Sequence, residues 1–220
     1  FGGFDDVEAA IGAIDTNTYS VAKGDELLTA AGYTKNADGY WANDVGVVTC
    51  DILGYGIFSD QGPIIAAQFE KSGVKSSYNE PVDSYPLMTS GKSAEDGGYS
   101  CAIFGHNGAQ GGDPYLTYLL YYTGNEGNFY NYSNPEFDKL VDELAQIDSG
   151  DRAEVIRISQ LAWDIWYKDL PDIQTVQFLT RPAMSAKYWT NWPTAENGYM
   201  NGLFTHMGFN VVLQKLKAVE

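Results

Sequence analysis

At 220 residues and 44% apolar content the chain is long enough to bury a sizeable core and is neither a linker nor a disordered tail. Thirteen Lys and Arg against 29 Asp and Glu give a net charge of −16, and no basic stripe is present to neutralise phosphates, which excludes nucleic acid as a partner. The acidity reads as a solvated surface that keeps the protein soluble rather than as a cation site.

Residues 1–15 are weakly patterned and carry neither the basic start nor the apolar block of a signal peptide. No apolar run of about 18 residues follows that would span a bilayer. Tyr19 to Gly32 reads as a helix stopped by its glycine, and Val45 to Leu53 as a buried strand with β-branched residues. A loop with two glycines, Gly54 to Asp60, leads into a helix at Gly62 to Ser72 that presents Ile64, Ile65, Ala67 and Phe69, and Val74 to Tyr78 is the next strand. Glu80 to Gly98 mixes proline, serine, glycine and acids around Tyr85 and Met88, as a loop or short helix does. Tyr99 to Phe104 is a strand, the glycine-rich Gly105 to Asp113 leaves it, and Pro114 to Tyr122 is helical. This alternation predicts an open α/β sheet with crossover helices.

The strongest local signals lie between Asn128 and Pro171. Asn134, Pro135 and Glu136 place a capping side chain, a first-turn proline and an acid in the order a helix start requires. Phe137, Leu140, Val141, Leu144 and Ile147 then recur at three- and four-residue spacing, opposite Lys139, Asp142, Glu143 and Gln146. After the turn at Asp148 to Asp151 a second helix carries Val155, Ile158, Ala162, Ile165 and Trp166, and it ends before Pro171 because the residue preceding a proline avoids helical angles. Trp163 and Trp166 are read as core packing. Ile173 to Leu179 is predicted as a strand, Lys187 onward as a loop with Trp189, Trp192 and Tyr199, and Val211 to Leu216 as a short strand or helix.

Cys50 and Cys101 fall in two predicted strands. Strands of one sheet bring such residues within disulfide range, and an exported protein permits the bond. Buried free cysteine behaves as a small hydrophobe, and the sequence favours two free thiols over a bridge without deciding between them. Metal-ligand spacing and cofactor motifs are both absent.

The order of these signals resembles the C-terminal lobe of the extracellular solute-binding proteins of ABC importers, family 5, which carries oligopeptides, nickel complexes and oligosaccharides. The resemblance is carried by Glu26 to Tyr33 (ELLTAAGY), the turn Asp38-Gly39-Tyr40-Trp41, Lys71 to Val74, Asp113-Pro114, the segment Tyr132 to Asp138 (YSNPEFD), and Asp169-Leu170-Pro171 before a strand. It spans roughly residues 16 to 200. The fold it implies is α/β, one lobe of a type II periplasmic-binding-protein fold, with a mixed open sheet flanked by helices. It divides the chain into a lead-in at 1–15 from a missing N-terminal lobe or hinge, a C-terminal lobe at 16–186, and a tail at 187–220 that returns to the other lobe. It also implies an extracellular or periplasmic protein, anchored to a membrane through an absent N-terminal segment, whose partners are a small solute and a membrane permease.

Ligands of open α/β sheets lie beyond the carboxyl ends of the strands, where loops are free of packing. Gly54–Asp60 and Gly105–Asp113 meet that condition; the second holds His106, Asn107, Gln110 and Asp113 among four glycines. An irregular polar loop whose groups satisfy one another is an equal reading, and Asp113 also suits a helix cap. Peptide carriers of the family hold the peptide's α-amino group with an aspartate in this loop, where Gln110 stands here, and Asn107 occupies a position that is often aromatic. A lost charge-assisted bond of roughly 1.5–3 kcal/mol turns the expectation from oligopeptide toward oligosaccharide. Trp192-Pro193-Thr194-Ala195-Glu196-Asn197-Gly198-Tyr199 resembles the Trp-Pro-Thr-Glu-Glu-Asn-Pro-Tyr motif of the oligosaccharide branch, with glycine for proline. Sugars offer hydroxyls to Asn, Gln and Asp and flat C–H faces to aromatic rings, so Tyr55, Trp189 and Trp192 are candidate platforms.

Catalysis finds little support: G-x-S-x-G, H-E-x-x-H and G-x-x-x-x-G-K are all absent, which leaves only a carboxylate pair such as Asp113 and Glu126. A solute-binding receptor without catalytic activity is the expectation, ahead of a glycosidase or an adhesive surface module. With its other lobe missing, the aromatic tail is expected to expose an apolar patch and to support a homodimer.

Overall fold

The computed structural model describes residues 5–12, 20–90, 92, 99–105, 113–129, 131–176, 182–204 and 208–219. They divide into two compact units, 1–172 and 173–220.

The first unit opens with helix α1, Asp5–Gly12, where the sequence suggests only a weakly patterned lead-in. Asp5, Asp6 and Glu8 complement the positive N-terminal end of this helix. Val7 and Ile11, four residues apart, share the face that is buried. Helix α2, Val21–Ala30, is capped by the Ser20 side chain, which accepts from the Lys23 N–H. It is followed by a hairpin of β1, Thr34–Lys35, and β2, Trp41–Ala42.

Strand β3, Thr49–Leu53, lies at the centre of a three-stranded sheet between β4, Lys75–Asn79, and β5, Cys101–Ala102. Both pairings are parallel. Helix α3, Gly62–Ser72, makes the crossover from β3 to β4 and ends at Gly73, whose φ of 90° a side chain would strain. The short helix α4, Ser84–Met88, lies on the connection from β4 to β5. Cys50, Ile52, Phe58, Ala66 and Ile103 form the core under this sheet. The Tyr78 ring lies in a slot against Gly54 and Gly62, where a Cβ on either glycine would overlap it.

Cys50 and Cys101 are joined in a disulfide, with their Cα atoms 5.4 Å apart, so the preference for free thiols is corrected. Placing both residues on adjacent strands of one sheet is what brings the sulfurs together. Closing a loop of this sequence separation, 51 residues, stabilises the fold by about 4 kcal/mol on chain-entropy grounds.

A larger core is helical. Helix α5, Pro114–Leu119, packs with α6, Pro135–Leu144, which packs in turn on α7, Arg152–Asp169, and α1 closes over α7. Asn134 caps α6, its carboxamide oxygen accepting from the Glu136 and Phe137 N–H groups at 2.9 and 3.3 Å. Phe137, Val141 and Leu144 are buried, as their spacing requires, against Val155, Ile158, Ala162 and Trp166 of α7. Trp163 and Trp166 stack with ring centroids 4.8 Å apart. Leu170, at a φ of 47°, ends α7 before Pro171. Arg152 clasps Asp6 of α1 with two N–H···O bonds, and the guanidinium lowers the pKa of that carboxyl.

Several predicted strands shrink. The predicted strand at 45–53 begins only at Thr49, and 99–104 keeps ladder pairing only at Cys101–Ala102. Residues 173–176 form no strand, and 177–179 lie outside the described residues. In the second unit, Phe209–Lys215 is helix α8, which resolves the ambiguity at 211–216, and β6, Trp189–Thr190, pairs antiparallel with β7, Lys217–Ala218.

Phe137→Ala is expected to lower the unfolding free energy by about 3–5 kcal/mol and Asn134→Ala by about 1 kcal/mol, read by urea denaturation. Equal effects would contradict the division between a core and a cap.

Glu70 of α3 accepts from the Tyr40 hydroxyl and the Ser76 N–H, and these bonds to the charged form lower its pKa. A depressed carboxyl stabilises the fold above its unfolded pKa, and that stability is lost as pH falls through the folded value. The stability advantage over Glu70→Gln is expected at pH 7 and should narrow as pH drops below about 4.3. Denaturation at pH 7, 5, 4 and 3 checks this, and a constant difference would refute it.

Candidate functional site

Because β3, β4 and β5 are parallel, their carboxyl ends share one edge, and the chain leaves each end with an aromatic residue close behind. Leu53 is followed by Gly54 and Tyr55; Asn79 leads to Glu80 and then Tyr85 on α4; Ala102 leads to Ile103 and Phe104. Gly54 is needed where it stands, since its backbone passes against the Tyr78 ring. Phe58, fully buried in the sheet core, anchors Tyr55 edge to face at 5.1 Å.

The rings of Tyr55, Tyr85, Phe104 and Phe129 form one cluster. Phe104 is 5.9 Å from Tyr55, 5.8 Å from Tyr85 and 5.3 Å from Phe129, and Tyr55 meets Tyr85 at 6.2 Å. These are offset and edge-on distances at which aromatic quadrupoles attract. Tyr85 keeps 52% of its surface exposed, and Tyr55, Phe104 and Phe129 are half-buried, so the cluster offers an accessible apolar surface. Desolvation raises the Tyr55 hydroxyl above its ordinary pKa, and it stays protonated at neutral pH. Tyr99 braces the cluster from outside, with its hydroxyl 2.7 Å from the Phe129 carbonyl and 3.1 Å from that of Met88.

Glu80 is the first residue beyond the carboxyl end of β4. It is exposed, and its pKa is lowered by hydrogen bonds from the Ser59 and Tyr78 hydroxyls, so it is an ionised acceptor at the strand edge. An open cleft of about 350 Å³ adjoins Phe129 and is walled by Thr89, Ser90, Asn125, Asn128 and Tyr132. The buried Asn128 fixes that wall by donating to the Tyr122 and Tyr132 carbonyls and accepting from the Tyr132 N–H.

Of the residues singled out from sequence, Tyr55 lies in the cluster. Asp113 caps α5, accepting from the Tyr115 N–H at 2.8 Å, and lines a separate cleft of about 130 Å³ with Leu144, Ile147 and Val155. Glu126 borders the larger cleft and not this one, so the two carboxylates line different clefts. His106, Asn107 and Gln110 lie outside the described residues.

Trp189 and Trp192 belong to the second unit. Trp189 is 50% exposed on β6, while the Trp192 indole N–H lies near the Ser185 and Trp189 carbonyls. The Tyr199 hydroxyl donates to the Asn191 carbonyl, and the Asn191 amide donates to the Lys215 carbonyl, so the tail satisfies much of its polarity within its own unit. Sequence reasoning did not find Tyr85, Glu80, Phe104 or Phe129. The signal available for the first three was their place just beyond the carboxyl end of a strand.

No protein-family model and no curated protein matches the sequence. Solved structures do. The mannohexaose-bound periplasmic oligopeptide-binding protein of an ABC transporter from Thermotoga maritima superimposes with a TM-score of 0.68 over 91% of this chain, at 22% identity. The oligopeptide-binding protein AppA of Bacillus subtilis, in complex with a nonapeptide, gives 0.57 over 72% at 18% identity. NikZ of Campylobacter jejuni, in complex with Ni(L-His), gives 0.55 over 72% at 18% identity. The chain spans 39%, 32% and 33% of the lengths of these proteins. Its fold is thus the α/β fold found in the solute-binding proteins of ABC importers, and the resemblance read from sequence holds at the level of fold.

Proposed function

We propose that this chain is one lobe, the C-terminal one, of the solute-binding receptor of an ABC importer, and that its solute is an oligosaccharide. The observation that carries the reading is the cluster of Tyr55, Tyr85, Phe104 and Phe129 at the carboxyl edge of the sheet, the edge from which β4 also leaves at the ionised Glu80. Flat sugar faces stack on such rings, and sugar hydroxyls donate to such a carboxylate. Asn107, Gln110 and His106 would add polar contacts from the loop after β5, while Asp113 caps α5 and Trp189 and Trp192 are candidate stacking surfaces of the second unit by itself. The role is capture without catalysis. Binding in such receptors is completed when two lobes close on the solute, so one lobe alone binds weakly. The disulfide suits an oxidising compartment outside the cytoplasm, and membrane anchorage and delivery to a permease complete the reading.

An oligopeptide is the second reading, because Glu80 also suits a peptide's α-amino group. A thermal-shift screen of cello-, xylo- and manno-oligosaccharides beside di- to pentapeptides decides between them. A ligand at one hundred times its dissociation constant stabilises by about 2.7 kcal/mol. Stabilisation by the sugars is expected, with Tyr55→Ala and Phe104→Ala each weakening affinity about tenfold. Stabilisation by peptides alone would reverse the ranking.

The exposed Tyr188, Trp189 and Phe204 of the second unit also suit self-association of the chain. Sedimentation is expected to show a dimer that Trp189→Ser converts to monomer; a monomeric parent chain would refute it.

A further inference from the structure

β5 has the shortest pairing in its sheet. Only Cys101 and Ala102 face β3, opposite Ile52 and Leu53, whereas β4 pairs with β3 along five residues. One backbone bond extends the contact, from the Ile103 N–H to the Leu53 carbonyl at 2.8 Å. The covalent link is the disulfide from Cys50 of β3 to Cys101 of β5. Three residues beyond Cys101 stands Phe104, the ring that meets Tyr55, Tyr85 and Phe129 together. The centre of the aromatic cluster therefore hangs from a two-residue strand whose firmest attachment is a sulfur–sulfur bond.

We propose that the Cys50–Cys101 disulfide is the positioning element of the aromatic platform, holding Phe104 in place and making ligand affinity depend on the redox state of the two cysteines. A dithiol reductant opens it by exchange. One dithiol thiolate attacks Sγ of Cys101, the less buried partner, while Cys50 is only 6% exposed. The sulfur–sulfur bond breaks and Cys50 departs as a thiolate that takes up a proton. The second dithiol sulfur then displaces Cys101, so two electrons and two protons pass from the dithiol to the protein, and the dithiol becomes a cyclic disulfide. β5 is left with its short ladder, the buried Ile103 beyond it and the Tyr99 hydroxyl bonds before it, and no covalent tie to β3. The helical core of Phe137, Tyr118 and Tyr121 contains neither cysteine and keeps its packing.

The test compares the whole chain oxidised, reduced by dithiothreitol, and as the Cys50→Ala/Cys101→Ala double variant. Nuclear Overhauser contacts report ring positions without any ligand, and calorimetry with mannohexaose reports affinity; only the second arm rests on the oligosaccharide reading. Reduction and the double variant are expected to abolish the contacts of Phe104 with Tyr55 and Tyr85 while preserving those of Phe137 with Tyr118 and Tyr121. Mannohexaose affinity is expected to fall at least tenfold. Intact Phe104 contacts after reduction would overturn the proposal, as would loss of the helical-core contacts as well, which would make the bond a global staple. Lost Phe104 contacts with unchanged affinity would overturn the link to binding. If the oxidised chain ignores mannohexaose, a manno-oligosaccharide is ruled out as the solute of this chain, and the ring contacts alone decide the positioning role.

Discussion

Parallel strands cannot be joined by a tight turn, because the chain must travel back to the starting end of the sheet before it pairs again. In this chain that return is made by α3 between β3 and β4, and by the longer connection bearing α4 between β4 and β5. The crossovers send all three carboxyl ends to one edge. There Tyr55, Glu80, Tyr85 and Phe104 are gathered although they are far apart in sequence. Loops at this edge are freed from covering the sheet faces, and their side chains are available to a solute. The location of the candidate site is thus a consequence of how β3 is paired.

Stability and the site are drawn from different parts of the first unit. The helical core collects large apolar and aromatic side chains from α1, α5, α6 and α7, with Phe137, Val141 and Ile158 essentially inaccessible to solvent. The sheet core is smaller, and β4 alternates only between exposed and half-buried positions. Regions with few buried apolar contacts open at lower free energy than the global unfolding reaction. The disulfide lies in this weaker part, where a constraint on chain entropy has the most local effect. The Gly54 and Gly62 slot adds packing there, because a flat tyrosine ring fills space that a Cβ would close.

What could be read from sequence followed how local the determining physics was. The start of α6 was legible because Asn134, Pro135 and Glu136 act within one turn, and its buried face because Phe137, Val141 and Leu144 obey a single period. α1 was not, since two apolar residues among acids and alanines make a stripe only when α7 lies opposite. β5 was placed but overextended, because strand length depends on what the partner offers and β3 offers it two residues. The disulfide needed the register of strands whose cysteines are 51 residues apart. Of the site, Tyr55 was legible from its position after a strand. Tyr85 and Phe129 were not, because their membership depends on meeting Phe104 across separate loops.

Charge gives the last constraint on what the edge can hold. At −16 the protein repels anions, but at physiological ionic strength the field of exposed charges fades over about 8 Å. The local groups therefore decide, and among them Glu80 has its pKa lowered by hydroxyl groups beside it, the Tyr78 hydroxyl donating to it directly. The Tyr78 hydroxyl donates to one oxygen of that carboxylate, and the residue is otherwise exposed. A neutral, hydroxyl-rich solute gives the carboxylate donors without importing a charge to desolvate, and its apolar faces meet the neighbouring rings. An ammonium group would gain a stronger bond but would give up more hydration beside apolar rings. On the oligosaccharide reading, the aromatic surface and the Glu80 carboxylate thus act on the same molecule from two sides of its chemistry.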